Sequence, residues 1–248
     1  YHTSGPMCTP TRVSILTGNY QQRFGPMFDG PLSGDTQSEH GLPTSAVTLP
    51  EILKDHGYAT ACLGKWHLGF QPPHLPLDHG FDVFRGLVSG DGDHHSHIDR
   101  YGNEDWWFDD RRRKESGYTA KLLTGHCLDF IRRHREKPFF VYLPHLAIHF
   151  PWQGPQDPSH RKPGGDYRQD KWGVIPDPQN VQPHVKAMVE SIDQSVGEIV
   201  AELGRLRLLD DTIVIFTSDN GGYTHYGNRF RRISSNCPYR GQKGTLYE

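Results

Sequence analysis

Short apolar runs of strand length alternate along this chain with stretches whose apolar residues recur every three or four positions, the spacing of helices. Pro10, early in a segment that closes at Gly18, suits the first turn of a helix with a glycine C-cap. Thr48-Leu49-Pro50-Glu51 has the form of a capping box, with Leu49, Ile52 and Leu53 on one face and Gly57 closing the helix. Tyr58 to Leu63 reads as a short strand leading into Gly64-Lys65-Trp66-His67-Leu68-Gly69. Leu123, Cys127, Phe130 and Ile131 fall at i, i+4, i+7 and i+8 and predict a helix from Thr119 to about His134. The run Pro138 to Leu143 has the length and apolarity of a buried strand. The longest helix is predicted from Pro183 to about Leu209, because Val185, Met188, Ile192, Val196, Ile199 and Leu203 keep one stripe. Thr212 to Thr217 is the clearest strand by pattern, and it delivers Ser218-Asp219-Asn220-Gly221-Gly222 at its carboxyl end. This alternation predicts an α/β fold with a mostly parallel central sheet and helices on both faces.

Residues 70–117 and 151–182 fit no such pattern and are rich in Gly, Pro, Asp, His and Trp. Loops this long are usually functional, so they are expected to be insertions that wall a substrate pocket in one domain spanning residues 1–248. The 248 residues suffice for a sizeable core. No apolar run reaches the ~18 residues of a membrane-spanning helix. Lys+Arg 27 against Asp+Glu 29 gives a net charge of -2, without the basic excess that nucleic acid would require. Cys8, Cys62, Cys127 and Cys237 are widely spaced and suggest neither a disulfide framework nor a zinc knuckle. The chain starts at Tyr1 with no signal peptide and stops in a turn-like stretch, so it is expected to be part of a longer protein.

Cys8 stands at the start of a predicted helix with Arg12 one turn later, and both the helix N-terminus and the guanidinium favour an anion there. The alternative is a buried cysteine packed under a helix cap. A cysteine phosphatase is excluded, since Ser14 occupies the position six residues on where its arginine would stand. Lys65 and His67 alternate just beyond a strand, and an extended backbone would send both side chains to one side. His145 and His149 have i, i+4 spacing, but the glutamate of a zinc-binding HExxH helix is absent and Pro151 disfavours a helix. Asp219-Asn220 after a strand suits a hard cation such as Ca²⁺, or is an ordinary turn. His94, His95 and His97 lie among Asp91, Asp93 and Asp99, either as a second metal cluster or as a polar loop facing substrate. Trp106 and Trp107 either stack on a sugar or anchor their loop.

Cys8-Thr9-Pro10-Thr11-Arg12 followed by Leu16-Thr17-Gly18, with Gly64-Lys65-x-His67-x-Gly69 downstream, resembles the paired signatures of the type I sulfatase family. Thr11 replaces the usual serine. The resemblance implies the alkaline-phosphatase-like α/β fold, truncated here at both ends. It implies hydrolysis of sulfate monoesters on a carbohydrate or aryl group, by Cys8 matured to formylglycine (3-oxoalanine) by a formylglycine-generating enzyme. The aldehyde has a chemical reason: a serine would be left as a stable sulfate ester, whereas one hydroxyl of a hydrated aldehyde attacks sulfur. Deprotonating the other then re-forms C=O and expels sulfate.

By the same resemblance Lys65 binds sulfate and the hydrate, and His67 helps deprotonate the remaining hydroxyl. His149 contacts the leaving-group side, His145 being structural or part of a substrate loop. Lys243, within Arg240-Gly241-Gln242-Lys243-Gly244-Thr245, binds sulfate near the leaving oxygen. Asp219, Asn220 and the modified Cys8 hold Ca²⁺, with Mg²⁺ as the alternative. The family's upstream aspartate pair has no counterpart after Tyr1, which leaves the shell short of the ~6–8 oxygens calcium takes. Export to periplasm, extracellular space or lysosome is implied. The rival readings are a phosphonate or phosphate monoester hydrolase using the same hydrate, and an inactive relative that binds sulfated glycans.

Overall fold

The computed structural model describes residues 2–246. Helix α1 (Cys8–Thr17) ends on Gly18 in the left-handed conformation. Helix α2 (Leu49–Asp55) starts on the expected capping box: the Thr48 backbone N–H and hydroxyl both donate to Glu51 Oε2, at 2.7 and 2.8 Å. Strand β1 (Ala59–Lys65) follows, then β2 (Val83–Leu87), two short strands β3 (Trp107–Phe108) and β4 (Arg111–Arg112), helix α3 (Thr119–Arg133), strand β5 (Phe139–Tyr142) and helix α4 (Gln182–Arg205). A hairpin of β6 (His225–Tyr226) and β7 (Phe230–Arg231) stands apart from the main sheet.

The main sheet has the order β4-β3-β2-β1-β5. Strand β1 pairs in parallel with both β2 and β5, so that Ala61 faces Val83 on one side and Val141 on the other. The β2–β3 and β3–β4 pairs are antiparallel. The pleat of β1 divides the core: Cys62 joins Val13, Leu16 and Phe84 on the α1 side, while Ala61 and Leu63 join Cys127, Phe130, Ile131 and Leu203 from α3 and α4. Helices therefore cover both faces of the sheet, and the carboxyl ends of β1 and β5 lie beside the start of α1.

The structure corrects some expectations from the sequence. Residues 70–117 are not one irregular insertion, because β2, β3 and β4 lie within them. Strand β2 is hard to see in sequence because Gly86 interrupts its pattern; φ there is 143°, and a Cβ would lie 2.1 Å from the Gly64 carbonyl oxygen. Residues 212–217 form no strand. Ile213 is 89% exposed and Phe216 75%, and no described residue pairs with them in a sheet. Apolar pattern supplies strand propensity, but a strand also needs a hydrogen-bonded neighbour. Helix α4 ends at Arg205 rather than at Leu209, where a short 3₁₀ turn takes over.

Candidate active site

Cys8 is the first residue of α1 and is 2% exposed. Burial alone would raise its thiol, but the charges of Lys65, His67 and Lys243 outweigh it and hold the group well below its ordinary value. The first turn of a helix favours an anion in the same sense. Around this sulfur the sequence-distant candidates converge.

Lys65 closes β1 and is 2% exposed. Burial is the largest influence and lowers its ammonium to about 8, with Arg12 and Lys243 acting in the same direction and Cys8 and Asp219 opposing. His67 reaches the site differently from the extended route expected. Its backbone turns left-handed, with φ 61°, and the ring is pinned from both sides. One nitrogen, Nε2, lies 2.9 Å from the Leu32 carbonyl oxygen, an acceptor only, so Nε2 carries the proton. In the neutral ring Nδ1 is then the free base, buried with no hydrogen-bond partner. Burial lowers the pKa of the ring, with Cys8 opposing and Lys65 acting in the same direction as burial. Thr9 ties this arrangement to α1: its hydroxyl donates to the His67 carbonyl at 3.1 Å and accepts the Leu32 N–H at 3.1 Å. Gly90 lets the backbone pass over the imidazole, since a Cβ there would sit 2.5 Å from His67 Cε1.

Arg12 does not point freely at an anion. Its Nε and Nη2 donate to Asp219 Oδ2 at 3.0 and 2.9 Å, and its Nη1 donates to the Lys65 carbonyl at 2.5 Å. It thus clamps the 219–220 loop against the end of β1. Burial pushes the Asp219 carboxyl up, but Arg12, then Lys65 and Lys243, hold it down to about 2. Asn220 Oδ1 is buried with no hydrogen-bond partner, and no described residue hydrogen-bonds Asp219 Oδ1. An orphaned amide oxygen beside a carboxylate is a donor pair that fits a hard cation. No group of three or more His, Cys, Asp or Glu side chains among the described residues could hold a metal, so this pair is at most part of a shell.

Lys243 arrives on a loop stitched to the 219–223 segment and to the residues just before α1. Asn236 Nδ2 donates to both Gly222 O and Gly241 O, and the Gly244 N–H donates to Pro6 O at 3.0 Å. His149 donates from Nδ1 to its neighbour's carbonyl, Phe150 O, at 2.9 Å, which leaves Nε2 unprotonated. Burial, then the charges of Lys243 and Lys65, hold its pKa well below the ordinary value. Cys8, Lys65, His67, His149, Lys243 and Asp219 therefore share one electrostatic neighbourhood.

Other candidates lie elsewhere. His145 is structural: its Nε2 meets Ser195 Oγ of α4 at 3.2 Å. The His94, His95 and His97 loop forms no metal cluster among the described residues, and His94 and His97 are buried rather than facing substrate. His94 Nε2 lies 3.2 Å from the carbonyl of His149 and so supports that residue's backbone, a role no local spacing signals. Asp93 fixes the loop by accepting the N–H groups of His95, Ser96, His160 and Arg161. Both tryptophans anchor: Trp106 Nε1 donates to Glu115 and Trp107 Nε1 to Asp105, each at 2.8 Å.

The chain is similar to mouse arylsulfatase J, 32% identical over 258 residues that cover 98% of this chain and 39% of the relative. It is 31% identical to human N-acetylgalactosamine-6-sulfatase, covering 100% of this chain and 47% of that one. Among solved structures, Ps i-CgsB in complex with k-i-k-neocarrahexaose superposes with a TM-score of 0.79 at 25% identity, over 99% of this chain and 53% of its own. The chain thus spans about half the length of the relatives it matches. With residues 1–246 matching the family model described as Sulfatase, and both family signatures converging at the carboxyl end of β1, this chain belongs to the sulfatase family.

Proposed function

We propose that the protein hydrolyses sulfate monoesters with formylglycine, formed from Cys8, as its hydrated nucleophile. The observation that carries this reading is the surroundings of Cys8: a buried thiol at a helix N-terminus, facing Lys65, Lys243 and a histidine base, is stabilised as an anion far beyond what a packing cysteine needs. On the matured residue the same groups have distinct tasks. Lys65 and Lys243 supply positive charge for the sulfate oxygens. The unprotonated Nδ1 of His67 can take the proton from the hydroxyl that remains after sulfation, re-forming the carbonyl as the C–O bond to sulfate breaks. Asp219 Oδ1, Asn220 Oδ1 and an oxygen of the modified Cys8 would hold Ca²⁺ or Mg²⁺, which when bound lowers the pKa of the hydrate. Arg12 keeps Asp219 in position for that task.

His149 must bring a proton to the leaving alcohol, yet beside Lys243 and Lys65 its Nε2 is unprotonated. A bound sulfate neutralises much of that field and raises the histidine's proton affinity, so its acid form arises with the substrate. His149→Ala should then cost about 10²–10⁴-fold with alkyl and sugar sulfates, and far less with nitrophenyl sulfate, whose leaving oxygen needs no proton. Rate constants on both substrate types check this, and equal losses would assign His149 to binding only.

The reading is tested on protein produced with a formylglycine-generating enzyme. The Cys8 peptide should have the mass of an aldehyde in place of the thiol, and rates on matched sulfate and phosphate esters should favour sulfate. Preference for phosphate would give the phosphate or phosphonate hydrolase. Persistent thiol would leave a glycan-binding relative. Export belongs to the same proposal; no helix of the described residues is long and apolar enough to cross a membrane.

A further inference from the structure

Beside His149 the molecule holds more positive charge than one sulfate can answer. Arg100 donates from Nε to Asp91 Oδ1 at 2.8 Å, and the other oxygen of Asp91 accepts from Arg161 Nη2 at 2.9 Å. The Asp91 and Arg161 side chains are 2% and 0% exposed. That buried pair is complete without Arg100, so one carboxylate between two guanidiniums leaves a net positive charge, and it resides on Arg100, the exposed member at 27%. Anchored by one edge, Arg100 makes no hydrogen bond from Nη1 or Nη2 to any described residue.

Arg100 lies one aromatic ring away from His149. The Arg100 guanidinium carbon is 5.6 Å from the centroid of the Phe150 ring, which packs 4.2 Å from the ring of His149. Lys171 Nζ lies 5.4 Å from the same Phe150 centroid, and Lys171 forms no ion pair with a described residue. Tyr223 stacks on Phe150 and carries the ammonium of Lys243 5.6 Å from its centroid. Arg100 and Lys171 therefore lie over one buried aromatic cluster beside His149, with Lys171 also 5.1 Å from the Trp172 centroid. Aromatic faces answer these cations only in part, and in a chain of net charge -2 two cations whose one carboxylate among the described residues, Asp91, is shared with Arg161 favour a ligand that supplies a further anion.

Resting on the sulfatase reading above, we infer that Arg100 is a specificity-determining residue that binds a second anionic group, a carboxylate or another sulfate, on the leaving-group sugar. The substrate class is then a multiply charged sulfated glycan rather than a singly charged aryl or steryl sulfate. The guanidinium fork suits either oxyanion bidentately. Asp91 and Arg161 hold the fork ready, so little ordering is required on binding.

The test compares sulfated disaccharides that differ only in a uronate carboxyl or its reduced alcohol, and hexosamines with one or two sulfates. On matured protein, kcat/KM should be higher for the doubly charged member of a pair. Arg100→Gln should lower that value about 10–100-fold, the worth of a charge-assisted hydrogen bond, while methylumbelliferyl sulfate changes less than about twofold. Arg100→Lys, which keeps the charge without the fork, should fall between. The pair that loses more identifies the anion. Equal losses on all substrates, or no preference in the parent protein, would overturn the inference. Equilibrium binding of the same sugars to Cys8→Ala protein reads the preference without maturation. If that preference disappears in Cys8→Ala/Arg100→Gln the inference stands even where matured protein proves inert, an outcome that would count against hydrolysis alone; if it persists, the inference fails.

Discussion

Cys8→Ala should abolish turnover, by a factor on the order of 10⁶ if the proposed nucleophile is this residue, while leaving the protein folded. The side chain is small and lies at the first position of α1, where alanine is a good helix former, and no described hydrogen bond within the helix runs through it. The denaturation midpoint should move little, because the cavity is one sulfur atom. The same substitution removes the group whose anionic form balances Lys65 and His67, so the ammonium of Lys65, at about 8 beside the thiol, should titrate lower still. Turnover is measured on nitrophenyl sulfate with matured parent protein as the reference, and folding by the guanidinium midpoint. Residual turnover within tenfold of the parent would remove Cys8 from the nucleophile's position. Cys8→Ser is the sharper companion: a serine can attack sulfur but has no second hydroxyl to expel sulfate, so one equivalent should be released as alcohol and the enzyme left sulfated.

The parts of this site that could be read in the sequence are those in which neighbouring residues act together. Cys8, Pro10 and Arg12 lie within one helical turn and a half, and Lys65 and His67 within a strand exit, so the pattern carries the geometry. Even there the physical route differed, because His67 enters the site through a left-handed backbone that no pattern of apolar residues announces. What stayed illegible depends on contacts between distant segments. Asp91 and Arg161 are 70 residues apart, and nothing local marks Arg100 as the third member of their cluster. Arg12 and Asp219 meet across 207 residues, which turned an expected anion-binding arginine into a clamp on the 219–220 loop. The fold shows the same division. Capping and periodicity identified α1, α2, α3 and β5, whereas β2 depends on the close approach of Gly64 and Gly86, and residues 212–217 lack a described partner despite a strong strand pattern.

Acid should destabilise this protein well above the pH at which its ion-paired carboxylates, such as Asp91 and Asp219 at about 2, protonate. His79, His94 and His97 are buried, and burial lowers each from the ordinary 6.5 to about 4. In the unfolded chain these rings take up protons near pH 6.5, but in the folded chain only near 4, so between those values the unfolded state holds more protons and stability falls as the pH falls. Each histidine contributes roughly 3 kcal/mol once the pH is below about 4. Asp105 works in the opposite sense over part of the range, since burial lifts its carboxyl to about 6 and folding then binds a proton there. The net loss is on the order of 5 kcal/mol, a large share of the ~5–15 kcal/mol that stabilises a domain. Guanidinium midpoints measured from pH 7 to 4.5 should drop steadily. His79→Phe, which keeps the ring packed against Trp66, should flatten the slope by about one proton. A flat midpoint in the parent protein would show that these histidines gain their protons without disturbing the fold. The same acid sensitivity should reach the site, because the packing around His94 also supports the His149 backbone on which the proposed leaving-group protonation depends.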